Sequence, residues 1–212
     1  MANVAGEEIP LQWLGRQLPP RAKLFRQAVS HITSDSTGKA WQNLPALLAG
    51  MKDSKAVPGG PVMAEIIRKA AMQGRLGVIV VCLQSVESTG MSLKHPDVAE
   101  AMVWSLRYHA QRNHWSEEAV TKSLKWAEQV AVMMERGVHG GGSRVLEKDD
   151  FRSQPWVIAT FLELAAVDAY RWRDGRDEDG KVRMYAERLL DSIDERTAQV
   201  SVGPEYYAYA LC

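Results

Sequence analysis

The 212 residues, 46% apolar and 25% charged, make an ordinary soluble globular chain with enough length for a real core. The 26 basic and 26 acidic residues cancel, so no global field draws the chain to nucleic acid or to an anionic membrane, and binding of either kind has to be local. Two cysteines, Cys82 and Cys212, exclude a disulfide framework and a metal cluster and point to a reducing compartment, while no apolar run reaches the roughly 18 residues of a membrane span.

A polar leader is expected over residues 1–18. It lacks the charged-then-apolar layout of a secretory signal, so the chain does not read as secreted, and Glu7 and Glu8 argue against a transit peptide beginning at Met1. Residues 9–34 contain no acid at all. There Arg16, Arg21, Lys23 and Arg26 accompany Leu18, Leu24, Phe25, Ala28, Val29 and Ile32, and Pro19-Pro20 sets a helix start. The product is a basic amphipathic helix whose four cations are the candidates for RNA phosphate contact; a surface helix with a solvated face is the plainer reading. After the turn-rich SDSTGK, a second helix carries Trp41, Leu44, Leu47, Leu48 and Met51 on one face, with Pro45 in its first turn or at a kink. A linker rich in Gly and Pro follows over 52–60, closing a first hairpin near residues 19–52.

Residues 58–96 read as two helices with their turns marked. Gly74 separates an apolar run with Val62, Met63, Ile66, Ile67 and Ala70 at helical spacing from a second with Leu76, Ile79, Leu83 and Val86, and Gly90 ends the second. The VIVV within the second run would also suit a buried strand, but no second run of that kind offers it a neighbour, so a helix is expected. A hairpin with two apolar faces asks for further hairpins stacked on either side. The stretch resembles a pentatricopeptide repeat, which runs A helix, A-G-R-L-type turn, B helix, then G-x-x-P-D. The matching residues are Pro58, Gly74, Arg75, Leu76, Gly90, Pro96 and Asp97, with 16 residues from Pro58 to Gly74 and 16 from Gly74 to Gly90. The departure is MSLKH, which puts Pro96 six residues past Gly90 instead of three and loosens the stacking by which the family sets one base against each repeat. The match covers less than a fifth of the chain. It implies stacked helical hairpins and, in the family's manner, organellar RNA processing or translation.

Pro96 opens a helix with Val98, Ala101, Met102, Ser105, Leu106 and His109 in one stripe, and residues 113–115 turn the chain. Ser116 is a plausible N-cap, with Glu117 and Glu118 at the positive end of the next helix, whose stripe is Val120, Leu124, Ala127, Ala131 and Met134. Trp104 and Tyr108 lie one turn apart beside the first stripe, where they could stack a base or pack a neighbouring helix. Residues 137–154, with Gly140-Gly141-Gly142-Ser143, form a flexible loop. From Pro155 a helix with Ile158, Leu162, Ala165, Ala169 and Trp172 in its strongest row is expected to be the most buried of all. The acidic turn DGRDEDG leads to a last helix striped by Val182, Tyr185, Ala186, Leu189, Leu190 and Ile193, and to an aromatic tail containing Tyr206, Tyr207 and Tyr209.

Candidate chemistry is thin. His139-Gly140-Gly141-Gly142 is like the oxyanion loop of some lipases, but the nucleophile elbow that reading needs is missing, which leaves a linker. In the acidic turn Asp177 and Asp179 could stand at calcium-ligand positions, but Gly175 and Ala186 occupy the places of the first Asp and the bidentate Glu. His109 and His114 straddle a turn and do not share the face a zinc pair needs. Glu163 and Asp168 could be an acid and a base in a cleft, although paired carboxylates are the commoner arrangement in a buried helix.

The expected fold is all-α, with stacked helical hairpins in a short α-solenoid or right-handed superhelix of about eight helices. Hairpins are expected over 19–136 and again over 155–197, with a tail at 198–212. The expected function is that of a non-catalytic helical-repeat interaction protein, a subunit or an assembly or translation factor of a larger complex. It would use protein partners, with Trp104, Tyr108, Tyr206, Tyr207 and Tyr209 as interface candidates, and neither cofactor nor metal. The resemblance alone makes that complex a mitochondrial ribonucleoprotein; otherwise the cytoplasm is expected. The alternative is a pentatricopeptide-type RNA-binding protein, and a more distant one an all-α enzyme.

Overall fold

A computed structural model of the chain describes residues 2–4, 7–9, 21–35, 37–140 and 150–200. Among the described residues nine α-helices form four successive hairpins. The first is α1 (Arg21–Ser34) with α2 (Leu44–Asp53), and the second α3 (Gly60–Met72) with α4 (Leu76–Gln84) and its short continuation α5 (Val86–Thr89). The third is α6 (Pro96–Arg112) with α7 (Glu117–Met134), and the fourth α8 (Pro155–Trp172) with α9 (Lys181–Val200). Successive first helices pack side by side, α1 on α3, α3 on α6, α6 on α8, while α2, α4 and α7 form a second row behind them. The all-α expectation holds. One addition was not foreseen: Ala2–Val4 pairs antiparallel with Glu7–Ile9 in a two-stranded ribbon within the stretch read as a leader.

The core is the seam between α3 and α6. Met63, Ala64, Ile66, Ile67, Ala70 and Ala71 meet Val98, Ala99, Ala101, Met102, Val103 and Leu106, all of them buried. Alternating alanines with large aliphatics lets the helices approach closely and interdigitate, the arrangement that dense packing requires. The VIVV segment is helical, with Ile79 and Val80 buried in α4. Its helix breaks at Ser85, where ψ reaches 38°. The Thr89 hydroxyl occupies the break, bonding the Cys82 carbonyl at 2.7 Å and the Ser85 carbonyl at 3.1 Å. Gly90 ends the unit at φ 71°, a conformation a side chain would strain.

Adjacent hairpins are also joined at their turns. The carbonyls at the end of a helix lack intrahelical donors, and here the next hairpin supplies them. Gln73 donates to the Thr33 carbonyl at 2.6 Å while accepting from the buried Trp41 indole at 2.8 Å. Arg75 donates to the Thr37 carbonyl at 3.0 Å. One hairpin further on, Arg112 donates to the carbonyls of Ala71 and Met72. Gly38 adopts φ 69°, and a Cβ there would collide with the Arg75 guanidinium.

Three details differ from the sequence reading. The added MSL after Gly90 packs into the core, with Met91 and Leu93 buried, because the longer linker reaches inward. The loop over 137–154 is anchored at both ends. Ser92 Oγ donates to the Val138 carbonyl at 2.8 Å, the Leu93 N–H donates to His139 Nδ1 at 3.2 Å, and both His139 and Arg152 are buried. Residues 141–149 lie outside the described residues. Lastly, α8 is not the most buried helix: Trp156, Tyr170 and Trp172 are exposed, because among the described residues only α9 packs beyond it.

Candidate interaction surface

The polar groups that could have done chemistry are engaged in structure. Glu163 holds Arg107 through two hydrogen bonds, 2.6 and 3.0 Å, a bidentate pair that ties α8 to α6. Asp168, buried, accepts from Arg173 at 2.6 Å. These carboxylates, five residues apart, are therefore fixed ion pairs and not an acid and base facing a cleft. Asp177 caps α9 by accepting from the N–H groups of Val182 and Arg183 at 3.1 and 2.9 Å, which accounts for the acidic turn without calcium. His109 Nδ1 lies 2.9 Å from Ser123 Oγ, and the ring packs edge-on to Trp126. Burial and Lys122 hold His109 below the ordinary histidine pKa, and burial does the same for His139. Burial pushes the Cys82 thiol up to about 12, so it stays a protonated core group. Among the described residues no group of three or more His, Cys, Asp or Glu is arranged to hold a metal ion, and no helix is long and apolar enough to cross a membrane.

Among the described residues of the C-terminal half, Arg152 is a heavily paired cation. It donates to Asp150 at 2.6 Å and to Glu135 at 2.7 Å, fastening the segment before α8 to the end of α7. Its guanidinium holds the Asp150 carboxyl below the usual carboxylate range.

Surfaces remain. Trp104 is exposed and stacks on Tyr108, centroids 4.7 Å apart and planes 16° apart, so the two rings form one aromatic platform on the outer face of α6. Tyr108 is half-buried against the core, so Trp104 is the exposed half of the platform. The larger apolar surface lies at the end of the stack, where Val132, Val138, Trp156, Tyr170, Trp172, Met184, Leu190 and Ile193 are all exposed. On α9 only Tyr185 of the predicted apolar stripe is buried, against Phe161, while Leu190 is 62% and Ile193 43% exposed. The amphipathic pattern was visible in the sequence; that Val182, Tyr185 and Leu189 pack against the core while Leu190 and Ile193 stay largely exposed was not.

Of the phosphate-contact candidates, Lys23 and Arg26 are exposed on α1, one turn apart. Arg21 begins α1 and Arg16 lies outside the described residues, as do Tyr206, Tyr207 and Tyr209. Sequence reading missed the carbonyl-capping roles of Gln73, Arg75 and Arg112; the one signal for them was a basic residue at two successive turns.

Two comparisons bear on this surface. The model of a family described as mitochondrial ribosomal protein mS27 matches residues 1–208. The small ribosomal subunit protein mS27 of Neurospora crassa is 30% identical over 165 residues, which are 73% of this chain and 39% of that protein. The chain thus spans well under half the length of that relative.

Proposed function

As the chain belongs to the mitochondrial ribosomal protein mS27 family, we propose that it is a non-catalytic subunit of the small mitochondrial ribosomal subunit, held there by protein contacts through its last hairpin. The observation that carries this reading is the apolar face at the end of the stack. Leu190 and Ile193 leave one flank of α9 apolar and exposed, large exposed apolar side chains of this kind mark interaction sites, and aromatic residues such as the exposed Trp156, Tyr170 and Trp172 of α8 are enriched among interface hot spots. Its localisation on this reading is the mitochondrion. The ion-paired state of Glu163, Asp168 and Asp150 supports a structural and not an enzymatic role. The likeness of residues 58–97 to a pentatricopeptide unit belongs to this proposal as a statement about architecture, supported by the helix, turn and helix that Gly74 and Gly90 delimit.

The test is sedimentation of mitochondrial lysate containing the tagged chain. The unmodified protein is expected in the small-subunit fractions, and Leu190→Asp with Ile193→Asp is expected to move at least nine-tenths of it to the light fractions while its circular dichroism stays unchanged. Co-sedimentation of the double variant at the unmodified level would place the contact elsewhere, and absence of the unmodified chain from those fractions would end the reading.

A second reading, direct RNA contact, is favoured by the exposure of Lys23 and Arg26. With no net charge on the chain, affinity would have to come from these and Arg16 and Arg21. Changing all four to Gln should then abolish RNA binding in a gel-shift assay. Raising salt from about 50 to 200 mM should weaken the unmodified protein roughly tenfold or more, as expected for about four neutralised phosphates.

A further inference from the structure

Tyr108 covers one face of the Trp104 indole, with centroids 4.7 Å and planes 16° apart, and the indole remains 39% exposed. Side chains of a helix lean toward its N-terminus, so the face turned away from Tyr108 looks toward the preceding turn, where Glu100 stands. Glu100 is exposed and makes no hydrogen bond or ion pair among the described residues. An open aromatic face and an unengaged carboxylate thus lie one turn apart on one side of α6.

The neighbouring helix brings a cation to the same level. α3 and α6 run parallel and in register: a Cβ on Gly60 would meet Asp97 at their starts, and Arg112 donates to the carbonyls of Ala71 and Met72 at their ends. That register sets Arg68 level with residues 105–108, on a helix whose axis lies about 8 to 10 Å away. Arg68 is exposed and has no partner among the described residues. Glu65, one turn before it, is paired with Lys69 at 2.7 Å and lies within electrostatic reach of Arg26 on α1. Arg26, Arg68 and Trp104 therefore follow one another across the first helices α1, α3 and α6.

We propose that Trp104 is the stacking site for one unpaired guanine of an RNA strand, with Glu100 accepting from the edge of that base and Arg68 receiving its phosphate. Every base offers a π face to an indole, so the ring alone selects none. The carboxylate selects: its two oxygens only accept, and guanine is the base whose edge sets two donors, N1–H and the N2 amino group, side by side. Adenine and cytosine place an acceptor next to their amino group, and uracil flanks its one N–H with two carbonyls, which a carboxylate repels. Stacking on an aromatic ring combined with hydrogen bonds to the base edge is how unpaired RNA is read. A protein partner fits less well, because charged side chains, Glu100 and the paired Arg107 and Glu163 among them, surround the ring, and charge is depleted at interface cores. The site rests on the direct RNA contact assigned to α1 and adds a base contact, which phosphate-binding cations do not supply.

The test is fluorescence anisotropy of labelled oligouridylate strands carrying one central guanine, adenine or cytosine, titrated with the full chain. The guanine strand is expected to bind about fivefold more tightly than the others, or better. Trp104→Ala should weaken it about fivefold or more and Trp104→Phe by less than about twofold. Glu100→Gln should remove the preference for guanine while leaving the adenine strand within about twofold of its unmodified affinity. Glu100 has no partner among the described residues, so Glu100→Gln stays informative should Trp104→Ala fail to fold. Binding that falls when the four α1 cations become Gln, yet ignores both Trp104→Ala and Glu100→Gln, overturns the proposal and leaves the α1 contact standing. An unmodified chain that binds none of the strands ends both. A Trp104→Ala chain that keeps its RNA affinity but leaves the small-subunit fractions makes a protein the occupant of the ring, and that too overturns the proposal.

Discussion

The α3–α6 seam and the α8–α9 hairpin are built from similar material and end in opposite environments. The α8 sequence, PWVIATFLELAAVDAYRW, is the more apolar, yet α6, with Glu100, Arg107 and Arg112 on it, is the better covered. Place in the stack decides the outcome: α6 has α3, α7 and α8 around it, whereas among the described residues α9 has only α8 as an extensive neighbour. In a quasi-one-dimensional array each hairpin is covered by its neighbours, so a hairpin with a neighbour on one side alone among the described residues presents what the others hide.

The sharpest way to break this comparison is to truncate one leucine in each region. Leu106→Ala removes a fully buried side chain from the seam and should cost about 2 to 5 kcal/mol, whereas Leu190→Ala on the exposed face should stay within about 0.5 kcal/mol, both by urea denaturation. Equal costs would mean that the α9 face is covered in solution. Next in size is Arg152→Met. It leaves Asp150, with its side chain 17% exposed, without its cation, and should cost about 2 to 3 kcal/mol. An effect under half a kcal/mol would show that the fastening of α8 to α7 is carried by packing alone.

A smaller effect sharpens the comparison through pH. His139 is held below its ordinary pKa, so the unfolded state binds a proton that the folded state refuses. Its contribution is fully present above about pH 6.5 and is lost as pH falls from there through the lower folded value. His109 acts with the same sign. Stability should therefore drop as pH falls below about 6.5, and the drop should shrink in His139→Gln, whose side-chain oxygen can still accept from the Leu93 N–H. A slope unchanged by that substitution would assign it to other groups. Below about pH 4 the lowered carboxyls of Asp150 and Glu65 add a further loss.

Much of the fold was legible because apolar spacing and turn residues agree along most of the chain. Gly74 and Gly90 stand where helices end, Pro96 and Pro155 sit at first helical positions, and Leu76, Ile79 and Leu83 are all buried. What was not legible depends on neighbours distant in sequence. The insertion MSL looked like a loosening of the repeat, yet its Met91 and Leu93 are core and its backbone holds His139, 46 residues away from Leu93. Arg107 and Glu163, 56 residues apart, give no local sign of their pairing. The candidate surface was half visible: the stripe on α9 and the Trp104–Tyr108 pair could be read from spacing, but which apolar faces stay uncovered is a property of the stack.

The turn contacts carry a consequence for modularity. Thr33 and Thr37 receive their donors from Gln73 and Arg75, and Ala71 and Met72 receive theirs from Arg112. A hairpin of this chain is thus completed by the one that follows it, in the order in which a ribosome releases them. Excising or transposing a single unit would strip donors from the carbonyls of the unit before it and leave its own end carbonyls without theirs. The stack is in this sense a sentence with grammatical agreement between its clauses, and its units should resist the shuffling that freely concatenated repeat arrays tolerate.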